Sequence, residues 1–145
     1  MNASDICLSL IKQSEGLSLS AYYCPAGKLT IGYGHTGADV HKNDSINEGV
    51  ANDLLKGDVA PVEKWLNGCN MTFTQGQFDA LVSFAYNLGC RTLGNSTLWK
   101  LVCAKEYEHA ADEFHKWVHC GEAVLPGLVK RRDRERQMFM TGEWK

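Results

Sequence analysis

Several things are scarce in this 145-residue chain, and each scarcity narrows what the protein can be. Apolar runs never exceed a few residues, far short of the roughly 20 needed to cross a bilayer. An excess of one charge is also missing. Fifteen Lys and Arg face seventeen Asp and Glu for a net charge of −2, which argues against a surface built as a whole to hold nucleic acid. Only three prolines occur, with no repeat and no low-complexity stretch, while hydrophobic residues make up 44% and charged residues 22%. Disordered and fibrous classes are thereby excluded, and the length suffices to bury a core without staples. The opening twelve residues lack a basic cluster and carry Asp5 where one would stand. A secretory leader is therefore not expected, and the expected starting compartment is the cytoplasm. Six cysteines (Cys7, Cys24, Cys69, Cys90, Cys103, Cys120) form no C-x-x-C pair, and the histidines do not cluster with them. Neither a disulfide framework nor a metal centre is expected, and nothing calls for a cofactor.

What is present reads as helix around a small patch of strand. Ile6, Cys7, Leu10 and Ile11 share one face of a helix capped at Ser4 and stopped at Gly16. Between Ser18 and Gly37 the texture changes to Tyr22-Tyr23-Cys24, a Pro25-Ala26-Gly27 turn and Leu29-Thr30-Ile31-Gly32-Tyr33-Gly34, a pattern of short strands. Ser45 and Glu48 match a capping box and predict a helix on Val50, Leu54, Leu55, Val62 and Leu66, kinked at Pro61. Thr74 and Gln77 form a second box, opening a helix on Phe78, Leu81, Val82 and Ala85 that ends at Gly89. Further helices are predicted over 97–104, 106–119 and 128–140, with 67–72 and 89–96 as connectors. The layout is a β-lobe at about 17–45, a connecting helix at about 46–66 and a helical lobe at about 72–141. So small a sheet cannot own a core, which places the chemistry between the lobes.

Glu15, Cys24 and Thr30 stand out because they gather where the texture changes. Glu15 closes a helix, where the macrodipole disfavours a further negative charge and tends to keep a carboxyl protonated. A protonated carboxyl near neutral pH is what a glycosidic leaving oxygen needs as its acid. By spacing alone, Glu15 reads first as a solvated helix-end glutamate, and a small apolar filler is the lesser reading of Cys24.

The motifs settle more than the spacing. Ser14-Glu15-Gly16, Ala21-Tyr22 and Leu29-Thr30-Ile31-Gly32-Tyr33-Gly34-His35-Thr36-Gly37 resemble the phage-type lysozyme (endolysin) family, glycoside hydrolase family 24. That family places Glu, eight residues, Asp or Cys, five residues, then Thr, as Glu15, Cys24 and Thr30 stand here. Thr74 to Gly89, Ser96-Thr97-Leu98 and Leu125 to Arg132 are similar to later family segments. The resemblance covers nearly the whole chain. It implies an α+β lysozyme-like fold, mostly helical with a small N-terminal sheet lobe, forming one catalytic domain over 1–145. It also implies cleavage of the β-1,4 bond between N-acetylmuramic acid and N-acetylglucosamine in peptidoglycan.

By the same resemblance Glu15 is the general acid, Cys24 takes the place usually held by Asp, and Thr30 helps hold the attacking water. A thiol is mostly neutral at pH 7, and an ionised Glu15 nearby would raise its pKa further. Cys24 is therefore expected to act as an activated thiolate or to contribute less than an Asp. Gly34, Thr36, Tyr86, Asn87 and Ser96 are expected to touch substrate, and Arg131 to order the Glu15 carboxyl. His35 and Asp58 are expected to pair between the sheet lobe and the connecting helix. The basic run Lys130-Arg131-Arg132-Asp133-Arg134-Glu135-Arg136 otherwise reads as a solvated helix face or as a steering patch for an anionic wall. Its lack of interleaved aromatics argues against nucleic acid. Trp65, Trp99 and Trp117 are expected in the core. The expected protein is a monomer, held in the host cytoplasm until a holin-type pore admits it to the wall. Two rivals remain at this level: a thiol hydrolase using Cys24 and His35 on wall peptides, and a non-catalytic wall-binding module.

Overall fold

A computed structural model describes residues 1–145. Helix α1 (Asp5–Glu15) begins at Ser4, whose hydroxyl accepts from the Cys7 amide, and stops at Gly16, where φ is +74°. Cys7, Leu10 and Ile11 are buried, whereas Ile6 is exposed and does not join their face. Strands β1 (Ser18–Tyr23), β2 (Leu29–Gly32) and β3 (His35–Thr36) form an antiparallel sheet in that order, with Tyr22 opposite Thr30 and Thr30 opposite Thr36.

Helix α2 (Glu48–Asn67) starts two residues later than the Ser45 box predicts. The cap is Asn47, whose side chain accepts from Val50 N at 2.9 Å, while Ser45 bridges to Ser20 and extends the sheet. The buried stripe is Ala51, Leu55, Val59, Val62 and Leu66, so Val50 faces solvent instead. The helix continues through Pro61. Proline removes the donor that the Gly57 carbonyl would use, but Gly57 is exposed, so water can take that bond.

Helix α3 (Gln75–Leu88) is the axis of the larger lobe. Both bonds of the Thr74–Gln77 box are made. Residues 76 and 78–85 are all buried, with α1, α2 and α7 (Pro126–Thr141) packed around them. Burial of each large side chain there, such as Phe78, Leu81 and Phe84, contributes roughly 1.5–3 kcal/mol. Gly76 permits the close approach of α7, since a Cβ there would collide with the Met138 carbonyl and lie 2.7 Å from Gly142 Cα.

Two connections are more structured than the sequence suggests. Helix α4 (Cys90–Gly94) fills the supposed connector and buries Leu93, ahead of α5 (Thr97–Cys103). The segment predicted as one helix over 106–119 divides into α6 (Tyr107–Glu113), a 3-10 turn (Phe114–Lys116) and strand β4 (His119–Cys120). Strand β4 pairs with β5 (Ala123–Val124) in a hairpin around Gly121. Packing ends that helix early. Phe114 and Trp117 both set their rings edge-on to Phe84, at 5.8 and 5.5 Å between centroids, and the Trp117 carbonyl accepts from Arg132 Nε. Trp65, Trp99 and Trp117 are half-buried against the core, and all six cysteines are free.

Candidate active site

Glu15 is placed by the anchoring of α1. The carboxylate of buried Asp79 on α3 accepts from Ser4 N, Ser4 Oγ and Gln75 Nε2, and Trp144 Nε1 bonds the Ile6 carbonyl. These contacts fix where α1 ends. Glu15 Oε2 receives Arg131 Nη1 at 2.6 Å. Arg131 is only 4% exposed in its side chain while Glu15 keeps 23%, so the cation is sheltered and the carboxyl remains reachable. Oε1 faces Gly34, where a Cβ would stand 3.2 Å away on a backbone at φ +82°. Only glycine suits both that conformation and that proximity.

Arg131 is ordered in turn from behind. Its Nη2 donates to the Ser83 carbonyl at 3.1 Å and its Nε approaches Glu135 at 3.4 Å. Glu135 is completely buried and accepts from Ser83 Oγ at 2.6 Å and Arg132 Nη1 at 2.5 Å. Arg132, also completely buried, bonds the Asn87 side-chain oxygen and covers the Phe84 ring at 5.1 Å. Two of the five cations in the basic run, Arg131 and Arg132, are therefore interior rather than on a solvated face. Buried charges persist only when paired this fully, and removing one partner of such a set costs about 3–5 kcal/mol.

A cleft of about 420 Å³ opens beside Glu15, with Gly34, Thr36, Asp58, Tyr86 and Asn87 in its wall. A second groove of about 560 Å³ also borders Glu15 and shares Asn87 with the first. The Tyr86 hydroxyl donates to the Tyr33 carbonyl at 2.7 Å, linking the lobes. Burial, reinforced by the Asp58 and Glu15 carboxylates, pushes that phenol above its usual range and keeps it a neutral donor.

Cys24 and Thr30 line neither opening; Cys24 opens the β1–β2 turn, where its N donates to the Lys28 carbonyl at 2.9 Å, and Thr30 stands on β2 just beyond it. Thr30 is buried, and its hydroxyl donates to the Lys28 carbonyl at 3.0 Å. Hydrogen bonding from the Lys28 amide holds the Cys24 thiol below the ordinary thiol range. Partial desolvation opposes this, while the Ala26 amide and the Thr30 hydroxyl assist. The upward push expected from Glu15 does not decide the thiol's state. Backbone donors do.

His35 places Nδ1 2.7 Å from Asp58 and Nε2 3.0 Å from Asp39. Burial works against the charged ring, but the two carboxylates outweigh it, so the pKa is raised. Asp39 was not foreseen, although its i, i+4 spacing from His35 was legible. With both nitrogens committed as donors, His35 has none free to take a proton from Cys24. Ser96 lies outside the cleft wall. It is buried as the cap of α5, accepting from Trp99 N at 3.0 Å and donating to the Leu93 carbonyl at 2.6 Å. The sequence does not disclose the buried partners Glu135 and Arg132, because charged residues in a basic run give no sign of facing inward, nor Ser83, a lone hydroxyl in an otherwise apolar stretch of α3.

Residues 12–135 match the family model described as Phage lysozyme. An endolysin of Bacillus phage B103 is 47% identical over the whole chain, which spans 56% of that longer protein. An endolysin of Acyrthosiphon pisum secondary endosymbiont phage 1 is 40% identical over 96% of this chain and 98% of its own length. Among solved structures, the endolysin from Escherichia coli O157:H7 phage FAHEc1 superposes with a TM-score of 0.90 at 32% identity, covering 100% of this chain and 97% of that one. With its acid-bearing helix end set between a small sheet and a helical lobe, this chain belongs to the phage lysozyme family and is a glycoside hydrolase of the lysozyme type.

Proposed function

We propose that this protein is an endolysin muramidase, hydrolysing the β-1,4 bond between N-acetylmuramic acid and N-acetylglucosamine to lyse a bacterial host. The observation that carries this reading is Glu15, held through one oxygen by Arg131 at 2.6 Å while the other faces the cleft side at Gly34. In its protonated form Glu15 donates to the glycosidic oxygen as the bond to C1 breaks. The Cys24 thiolate supplies the anion for the oxocarbenium-like charge that develops. Cys24 and Thr30 line neither opening, so their part, the thiolate accepting the proton that water loses at C1 and Thr30 orienting that water, rests on the family resemblance, with exchange with solvent resetting the acid and the thiolate. Gly34, Thr36, Tyr86 and Asn87 contact the sugars, and Arg131 holds the acid in place. The pairing of His35 with two carboxylates speaks against a Cys–His thiol hydrolase. A wall-binding module would have no use for an acid so arranged.

The test is release of reducing ends from outer-membrane-permeabilised Gram-negative cells by wild type, Glu15→Gln and Cys24→Ser. Wild type should release them, and Glu15→Gln should lose at least about 100-fold. Clearing of the cells without reducing ends would overturn the reading. No helix is long and apolar enough to cross a membrane. The protein is read as a monomer that accumulates in the host cytoplasm and reaches the wall through a holin-type pore. Lysis on expression without any pore-former would refute that dependence.

A further inference from the structure

The six free cysteines are unevenly spread, and three of them gather where α2, α4 and α5 meet. Trp65 on α2 and Trp99 on α5 stack at 4.8 Å between ring centroids, and a Cβ on Gly94 of α4 would stand 3.3 Å from Trp65. Cys69 and Cys103 each follow their tryptophan by about one helical turn. The Cys69 thiol turns back along α2 and donates to the Trp65 carbonyl at 3.2 Å. Two residues beyond Cys69, the Met71 sulfur lies 4.0 Å from Cys103 Sγ. Cys69 is thus bracketed by two residues that both touch α5. Burial raises the Cys69 thiol above its ordinary value, and the nearness of Cys103 adds to it. Cys90, at the start of α4, is raised by burial first and then by Cys69. Its place differs from that of Cys103, for Cys90 is half-buried in the wall of the cleft beside Glu15, whereas Cys103 is exposed. Cys69 itself borders a separate surface groove of about 480 Å³, with Pro61, Lys64 and Trp65.

We propose that Cys69 and Cys103 are a redox-responsive pair, joined by a disulfide when the protein meets a small-molecule disulfide such as oxidised glutathione. The bond fastens the end of α2 to the end of α5. Both residues stand at helix ends, where adjusting the backbone to the roughly 4 Å Cβ separation of a disulfide disturbs few other contacts. Cys103, the exposed thiol, attacks first as its thiolate. It bonds to one glutathione sulfur, the glutathione S–S bond breaks, and the other half leaves as a thiolate. Cys69 then gives its proton to solvent, and its sulfur attacks Cys103 Sγ, expelling the second glutathione as a thiolate. Two protein thiols are oxidised while one glutathione disulfide is reduced to two thiols, so the electrons balance. The new bond closes the loop that carries α3, the axis of the larger lobe, and α4. Restricting that loop in the unfolded chain favours the folded state. Neither sulfur lines an opening beside Glu15, so the bond leaves the acid accessible.

The experiment incubates the folded protein with excess oxidised glutathione at about pH 8, where thiols ionise, then blocks the remaining thiols and maps peptides without reduction. A fragment linking Cys69 to Cys103 within one molecule should be the main cross-linked product. The oxidised protein should melt about 5–10 °C above the reduced one, and a phosphine reductant should abolish the gain. Cys69→Ser and Cys103→Ser should each melt with the reduced wild type and show no gain on oxidation. Serine at 69 keeps a donor for the Trp65 carbonyl, and position 103 is exposed, so neither change empties the core. If a variant does not fold, wild type with and without reductant carries the same comparison. Cys69 and Cys103 left as thiols, or each capped by glutathione, would overturn the pair. A link from Cys69 to Cys90 would also overturn it, moving the partner to the cleft wall. A Cys69–Cys103 bond between two molecules, seen as a dimer on a non-reducing gel, would do the same. A bond formed with no gain in Tm would overturn the fastening of α2 to α5.

Discussion

At the scale of single residues, Cys24 shows how a local turn sets chemistry. Its thiol is held below the ordinary range by the Lys28 amide and its neighbours, donors that exist only because β1 reverses into β2 there. Thiolate increases as pH rises through the pKa, so a lowered pKa brings the reactive form in at lower pH than for a free thiol at about 8.5. Brief alkylation with iodoacetamide near pH 7, read out by peptide mapping, should therefore modify Cys24 ahead of Cys103 and Cys120, although those two are the exposed ones. Cys24→Asp should move the acid limb of the pH–rate profile downward by a unit or more, since a carboxylate ionises near 3.9. Uniform labelling of the three cysteines would refute the activated thiolate.

At the scale of elements, capping chemistry separates what residue type suggests from what placement decides. The Thr74–Gln77 box and the Ser4 cap stand where the sequence puts them, because each is followed at once by an apolar face that must be buried. The Ser45 box does not form, because Asn47 competes two residues on and Ser45 is taken by the sheet. Ser96 illustrates the reverse. Read as a sugar contact, it serves as a buried cap of α5. Ser96→Ala should cost about 1 kcal/mol of stability, read from urea midpoints, while turnover per folded molecule stays at the wild-type level. A loss of turnover without a loss of stability would return Ser96 to the substrate site. The hairpin over 119–124 was illegible for a different reason. Its strands are two residues each, and α6 ends early because Phe114 and Trp117 pack on Phe84, a contact about 30 positions away in sequence.

At the scale of the whole molecule, the lobes are held by few polar ties, and one of them titrates. His35 in the sheet bonds Asp58 on α2, with Asp39 on its other nitrogen. Its raised pKa means that the folded state holds the proton more tightly. That stabilisation is fully present below the unfolded histidine value of about 6.5 and is lost as pH rises through the folded pKa. Asp58→Asn should therefore lower the melting temperature by a few degrees near pH 5.5, corresponding to about 1–2 kcal/mol. The gap to wild type should narrow at higher pH. A gap independent of pH would show that the pair is not charged in the folded state. The Tyr86–Tyr33 bond, by contrast, joins the lobes through neutral groups across the working range.

The sequence by itself determined the helix carrying Glu15, the turn carrying Cys24 and Thr30, the central helix and the family. These are local or short-range features, written in caps, glycines and spacing. It also placed Arg131 beside Glu15, through the resemblance rather than the charges, since the run from Lys130 to Arg136 does not reveal which cations turn inward. Tertiary structure alone decided that Arg132 and Glu135 are completely buried and that Ser96 lies in the interior. It also decided that Lys130 and Arg134 are left without acidic partners. The reason is physical. A charged side chain is buried only where several partners from distant segments meet it, here Ser83, Asn87 and the Trp117 carbonyl, and that meeting is a property of packing rather than of neighbouring letters.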